Sequence, residues 1–192
     1  MRRSFLVSIL LVTPFFCLWR WGGLDQIGSH TDRSSGYDRY QYGHWKDFDG
    51  DCQNTRHEIL IESSDISIQF KTEKKCVVVS GAWYDPYTSK NFKKAKEIDI
   101  DHVVPLKEAH ISGASGWTKE KKRQFANDEE NLLAVSRSAN RSKGAKDPAQ
   151  WMPKNEAFHC EYIKKWVAVK EKYMLYMDRN EQQKINRLLA GC

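Results

Sequence analysis

A carboxylate, an imidazole and two amides follow one another along this chain in an order that suits metal-assisted hydrolysis. Asp101 and His102 end an Ile-flanked run, Asn131 opens a second apolar run, and Asn140 follows nine residues later in a basic stretch. An imidazole with a pKa near neutrality can take a proton from water. Carboxylate and amide oxygens are ligands that Mg²⁺ and Mn²⁺ prefer. Together these residue types predict cleavage of a phosphodiester with the help of one divalent ion.

The neighbouring sequence predicts two strands and a helix that would bring these residues together. Residues 98–104 predict a strand that runs into a proline, which ends strand pairing. Residues 131–135 predict a second strand, and residues 138–144 a short helix that stops at a glycine. Neighbouring side chains on a strand point to opposite faces. Asp101 and His102 can therefore both reach one metal-bound phosphate only where the first strand ends in a bend.

The rest of the body is predicted to surround this unit with helices and a few strands. A helix is expected at 54–62, strands at 66–70 and 76–79, a lysine-rich surface segment at 90–96 and helical structure at 107–130. The C-terminal part predicts long helices with an apolar stripe that steps by three or four residues, which is typical of a core face. The stripe consists of Phe158, Tyr162, Trp166, Val169, Tyr173 and Met177.

The N-terminus has the pattern of a targeting segment. Two arginines precede an uncharged apolar stretch, which is shorter than the ~20 residues that a membrane span needs. We predict a signal peptide or N-terminal anchor at 1–20, a flexible leader at 21–36 and the folded body at 37–192. The protein is then secreted or extracytoplasmic, with no stable membrane partner unless the segment is retained. Without the three arginines of residues 1–20 the formal charge falls from +6 to +3, and this mild excess permits a polyanionic partner without requiring one.

Four cysteines beyond the targeting segment agree with export. An even number of cysteines in an exported chain predicts disulfides, and four cysteines allow three pairings. We favour Cys52 with Cys76 and Cys160 with Cys192, because each bridge then stays within one local segment. A zinc site is the alternative, although the sequence contains no C-x-x-C pair.

An acidic segment before the first helix has the spacing of a calcium loop. Cys52 stands where such a loop has glycine, and no convincing helix precedes the segment. We favour a structural loop pinned by a disulfide, with calcium binding as the alternative, and expect Arg56 to pair with one of its carboxylates. Positions 1, 3, 5, 7, 9 and 12 of the loop are Asp47, Asp49, Asp51, Gln53, Thr55 and Glu58.

The combination of these motifs resembles the HNH, or ββα-metal, endonucleases, and in particular a secreted bacterial group. The resemblance covers most of the body, from about Tyr37 to Cys192. An Asp-His pair alone would be weak support, but the pair followed by the two asparagine motifs at these spacings is specific. The matching stretches are 45–52 (WKDFDGDC), 80–83 (SGAW), 85–88 (DPYT), 99–106 (DIDHVVPL), 131–135 (NLLAV) and 140–143 (NRSK).

The resemblance implies a role for each residue of the set. Asp101 and Asn140 would hold the divalent ion, and His102 would be the general base. Asn131 would tie down the loop that orients this base. The family is named for a histidine at the position of Asn140, and the exchange favours magnesium, or manganese, over zinc or nickel.

The resemblance also implies the fold and the substrate. The fold would be α+β, with a ββα-metal core embedded in a mostly helical single domain that has a small β-sheet. Arg141 and Lys143 would face the phosphate backbone of DNA, with RNA as a second substrate, and a monomer would cut with little sequence specificity to leave 5′-phosphate and 3′-hydroxyl ends. The alternative is a non-catalytic nucleic-acid-binding surface protein or DNA-uptake protein.

Overall fold

The structure is a computed structural model that describes residues 36–192. The predicted signal peptide or anchor (1–20) and the predicted leader, apart from its last residue, lie outside the described residues. Within 36–192 the fold is mixed α+β in a single domain, as predicted. In that same range, no helix has both the length and the apolar character that crossing a membrane requires.

The strands form two separate sheets, and the helices lie around them. Strands β1, β2 and β3 form an antiparallel sheet in that order, and β4 pairs antiparallel with β5. The strands are β1 (Gln69–Phe70), β2 (Val78–Asp85), β3 (Lys90–Lys94), β4 (Ile98–His102) and β5 (Leu132–Ser136). The helices are α1 (Thr55–Glu62), α2 (Leu106–Ile111), α3 (Lys119–Ala126), α4 (Arg137–Lys143), α5 (His159–Tyr173) and α6 (Arg179–Leu189), with a 3₁₀ turn at Arg39–Tyr42.

Strands β4 and β5 with helix α4 form the ββα unit that the sequence predicts. His102, the last residue of β4, lies opposite Leu132, the first residue of β5. Ser136 caps α4 by accepting a hydrogen bond from a backbone amide of its first turn, and Gly144 ends the helix with a φ of 57°. The chain therefore passes from β5 into α4 with almost no connecting loop, which holds the helix against the end of β4.

Two clusters of buried side chains support this unit. Leu60 of α1, Trp83 of β2 and the two isoleucines of β4 belong to the cluster that packs the two sheets and α1 together. The other helices pack around α5, and the apolar stripe predicted for this part of the chain is confirmed as a core face. Phe158, Tyr162, Trp166, Val169 and Tyr173 are buried, and Met177 is half-buried against the same cluster.

The upstream sheet differs in extent from the prediction. The strand expected at 66–70 is limited to β1, and Ile66 is 57% exposed. The strand expected at 76–79 starts later and continues through β2, which pairs with β3 in the segment expected to be only a lysine-rich surface. Phe92 of β3 lies opposite Trp83, while the β3 lysines remain exposed. Lysines on an edge strand protect it from pairing with other chains, so they do not argue against a strand.

Both disulfides have the pairing favoured from the sequence. Cys52 joins Cys76, and Cys160 joins Cys192. The first bridge connects the loop before α1 with the segment before β2, and the second connects the first turn of α5 with the residue that ends the chain. Each bridge therefore closes a local segment.

Candidate active site

The carboxylate of Asp101 is held by two side chains. Lys143 Nζ lies 3.0 Å from Oδ1 and 2.8 Å from Oδ2, and the Tyr87 hydroxyl donates to Oδ2 at 2.8 Å. Burial raises the pKa of Asp101, against the effect of the Lys143 charge, and burial lowers the pKa of Lys143, against the effect of the carboxylate. Each residue is the counter-charge that the other requires at a position removed from water.

Lys143 was expected to face the phosphate backbone, but in the structure it points into the protein. Its side chain is fully buried, and its ammonium also donates to the backbone oxygen of His102 at 2.7 Å. The reason is helical spacing, because residues three apart share one side of a helix. Lys143 therefore faces β4 together with Asn140, whereas Arg141 is exposed at the rim.

The ring of His102 has one nitrogen fixed by the backbone. Nε2 lies 2.8 Å from the carbonyl oxygen of Ala126. A carbonyl oxygen can only accept, so Nε2 carries the proton and Nδ1 keeps a lone pair. Burial lowers the pKa of His102 to about 3, and the hydrogen bond to Ala126 opposes this shift. Burial thus favours the neutral imidazole, which can accept a proton, but a pKa this low makes it a weaker base than the near-neutral group that the sequence predicts.

Asn131 closes the loop that follows the histidine. Its side chain is fully buried, with Oδ1 accepting from the Val104 amide at 2.8 Å and Nδ2 donating to the Val104 carbonyl at 3.2 Å. Its own carbonyl accepts from the Val103 amide at 2.8 Å. These three bonds fix the backbone directly after His102, which is the geometry expected of a residue that orients the base.

Asn140 lies on α4 opposite the carboxylates of β4. Its Nδ2 donates to Asp99 Oδ2 at 3.2 Å, and Arg137 Nε lies 3.7 Å from the other oxygen of Asp99. Asp99 and Asp101 share one face of the strand, since alternate residues point the same way. Carboxylate and amide oxygens are ligands that Mg²⁺ and Mn²⁺ prefer, but here Asn140 presents its nitrogen to Asp99 and both oxygens of Asp101 are bonded to Lys143.

The site opens onto a cavity of about 420 Å³. Asp101, His102 and Asn140 all line it, so the structure brings together the residues singled out as ligands and base. Three cations from separate elements also line the cavity, which gives it a rim suited to phosphate. They are Arg39, Lys107 and Arg141.

The sequence missed several of these side chains. Tyr87 and Lys107 lie in or beside motifs quoted for the resemblance, so position in a motif was an available signal. Arg39 has no such signal, because it lies some sixty residues before the histidine and outside any motif.

The acidic segment is a separate, exposed loop. Asp47 accepts hydrogen bonds from the amides of Gly50 and Cys52, at 2.7 and 3.0 Å. The expected pairing of Arg56 with this loop is wrong, since its guanidinium donates to the backbone oxygen of Ile98 at 2.9 Å and so supports the start of β4. Three side chains of the loop have carboxylate oxygens within 4.8 Å of one another: Asp47, Asp49 and Asp51.

Comparison with known proteins indicates a nuclease. The family model for the C-terminal domain of GmrSD restriction endonucleases matches residues 53–188. A protein of Arthroderma benhamiae, named "Uncharacterized secreted protein", is 36% identical over 159 residues, which cover 82% of this chain and 76% of that protein. No solved structure matches the chain. The family match makes a hydrolase with a nucleic acid substrate the general class, and it spans every residue of the ββα unit.

Proposed function

Because this chain belongs to the family of the C-terminal domain of GmrSD restriction endonucleases, we propose that it is an exported, metal-dependent HNH-type endonuclease. Its substrate is DNA, with RNA as a second candidate, and it cuts with little sequence specificity. One observation carries the proposal. A histidine whose Nε2 is bonded to a backbone carbonyl lines the same cation-rimmed cavity as a buried carboxylate and an amide, namely His102, Asp101 and Asn140.

His102 is the general base in this proposal. The hydrogen bond from Nε2 to the Ala126 carbonyl leaves Nδ1 as the nitrogen that takes a proton from the attacking water. The water oxygen bonds to phosphorus as the bond from phosphorus to the 3′-oxygen breaks, and solvent water protonates the departing 3′-oxygen, which leaves a 5′-phosphate and a 3′-hydroxyl. Asn131 keeps the base in place through the backbone of Val104.

Asp101 and Asn140 would hold the divalent ion, and Asp99 would add a further oxygen. When bound, the ion supplies positive charge that stabilises the phosphoryl oxygens in the transition state. Lys143 would keep the carboxylate of Asp101 ionised and fixed against α4. This donor set supports magnesium or manganese as the physiological ion.

Arg39, Lys107 and Arg141 would bind the backbone phosphates on either side of the cleaved bond. Contacts of this kind position the substrate but carry no base information, which supports low sequence specificity. They also make binding weaken as salt rises, because each neutralised phosphate releases counterions.

Export is supported by two independent features. The relative from Arthroderma benhamiae is named as secreted. The two disulfides of this chain are bonds that persist in oxidising compartments.

The proposal is tested with defined single- and double-stranded DNA and RNA, incubated with the protein in Mg²⁺, Mn²⁺ or EDTA. We expect cleavage with either ion, none in EDTA, and DNA products whose ends a ligase can rejoin. The matched control is His159→Ala, which removes a histidine that does not line the cavity and should leave cleavage unchanged. Tight binding without cleavage under every metal condition would instead favour the non-catalytic alternative.

A further inference from the structure

The imidazole of His102 has an aromatic neighbour that the proposed reaction does not use. The indole of Trp45 is stacked on it, with ring centroids 5.5 Å apart and an angle of 24° between the planes. Among the described residues that line the cavity, Trp45 does not appear. It also precedes residues 53–188, to which the family match extends.

The backbone of Trp45 adopts a conformation that a large side chain rarely takes. Its φ is +60°, in the left-handed region. For a bulky residue this conformation costs free energy, so it persists only where the surroundings impose it. A residue such as glycine would be expected at this position unless the indole itself is needed there.

The surroundings that impose this conformation centre on Asn127. Its Oδ1 accepts from the Lys46 amide at 3.0 Å and from the Thr55 hydroxyl at 2.9 Å, and its Nδ2 donates to the Gly43 carbonyl at 3.1 Å. The amide of Thr55 also donates to the Lys46 carbonyl at 2.8 Å. One side chain therefore fixes the segment on both sides of Trp45.

Two adjacent residues, Ala126 and Asn127, thus act on the edge and on the face of the His102 imidazole. The carbonyl of Ala126 accepts from Nε2 and fixes one edge of the His102 ring. The side chain of Asn127, the next residue, fixes the loop whose indole covers the ring face. A hydrogen bond to one nitrogen leaves the ring free to rotate about that bond, and contact with its face removes this freedom.

We propose that Trp45 is a positioning residue whose indole, held in place through Asn127, fixes the plane of the His102 imidazole. Its effect on rate rests on the proposed function, because only then does His102 act as a base. Its effect on ring orientation holds whether or not the protein cleaves nucleic acid.

Ring orientation is measured by NMR, from the NOEs between the His102 ring protons and the backbone and side-chain protons around them. Loss of the indole ring current alone moves the His102 ring protons downfield in Trp45→Leu, so the orientation is taken from the NOE pattern, which should change in this variant. His102→Ala identifies the signals, and the His159 signals serve as an internal control. An unchanged NOE pattern of the His102 ring protons in Trp45→Leu would overturn the proposal directly.

The effect on rate is measured as separate kcat and KM values for plasmid cleavage. We expect Trp45→Leu to lower kcat by about 10- to 100-fold, because misplacing a catalytic group by about 1 Å can cost 10²-fold. KM should stay within about twofold in this variant, because Trp45 does not line the cavity. Trp45→Phe retains an aromatic ring and should recover most of kcat, which a merely space-filling role would not require.

Phe48→Ala is the control from the same loop, three residues further on, where the side chain is 63% exposed. This variant should keep the parental kcat and the parental His102 shifts. A Trp45→Leu variant with parental kcat would refute the positioning role. If the unaltered protein cleaves nothing, the proposed function fails, and the NOEs of the His102 ring protons still decide whether Trp45 fixes the ring.

Discussion

Replacement of Lys143 by methionine tests how the site balances its buried charges. Lys143 Nζ lies 2.8 Å from Asp101 Oδ2, and the two side chains are 0% and 4% exposed. Two unit charges at this separation attract by about 6 kcal/mol at an effective dielectric constant of about 20, and desolvation offsets much of this. Removing one partner leaves an uncompensated carboxylate, which costs ~3–5 kcal/mol. We expect the free energy of unfolding at pH 7 to fall by this amount.

The control is the double variant Asp101→Asn with Lys143→Met, which removes both charges and should recover most of the loss. Urea denaturation followed by tryptophan fluorescence measures all variants. Mg²⁺ can replace the missing positive charge, so a concentration 100-fold above its Kd should return about 2.7 kcal/mol to Lys143→Met. A loss below about 1 kcal/mol in the single variant, or a double variant that shows the sum of the single losses, would refute the reasoning.

Three further predictions concern metal affinity, the C-terminal bridge and pH. Asn140→Ala removes one proposed ligand oxygen, so the Kd for Mn²⁺ should rise by about 10-fold or more. Calorimetric titrations measure this Kd, and titration curves identical to those of the parent would exclude Asn140 as a ligand. Replacing Cys160 and Cys192 by serine opens a bridge that spans 32 residues and should lower the unfolding free energy by ~3–4 kcal/mol. The folded variant should still cleave, and a folded but inactive variant would contradict this prediction. Burial lowers the pKa of His57 in the folded state, so below about pH 6.5 the unfolded chain binds more protons and this residue's contribution to stability is lost. The Tm of His57→Gln should therefore fall less than the Tm of the parent between pH 7.5 and pH 5. An equal or larger fall would show that the lowered pKa of His57 does not contribute to the pH dependence of stability.

The ββα unit was predictable because its signals are local. Alternating apolar residues, a proline after the first strand and a glycine after the helix mark its boundaries within short windows. Asp101, His102 and Asn140 could be placed together because each occupies a defined position relative to these boundaries. The burial of Lys143 was also within reach, since its spacing from Asn140 puts both residues on one side of α4.

The contacts that tune the site could not be read from the sequence, because they join segments that are far apart in the chain. Tyr87 reaches Asp101 from the turn between β2 and β3, and Trp45 reaches His102 from a loop before α1. No periodic pattern links such positions. From the sequence, Asn127 is only the residue that ends α3. Its hydrogen bonds to Gly43 and Lys46 become evident only in the structure.

The most direct test of the central claim is the rate at which His102→Ala nicks supercoiled plasmid in Mg²⁺, measured beside its affinity for Mn²⁺ and for DNA. A general base contributes about 10²- to 10⁴-fold, so cleavage should fall by that factor while both affinities stay close to those of the parent. A variant that nicks plasmid at the parental rate would show that His102 is not the base.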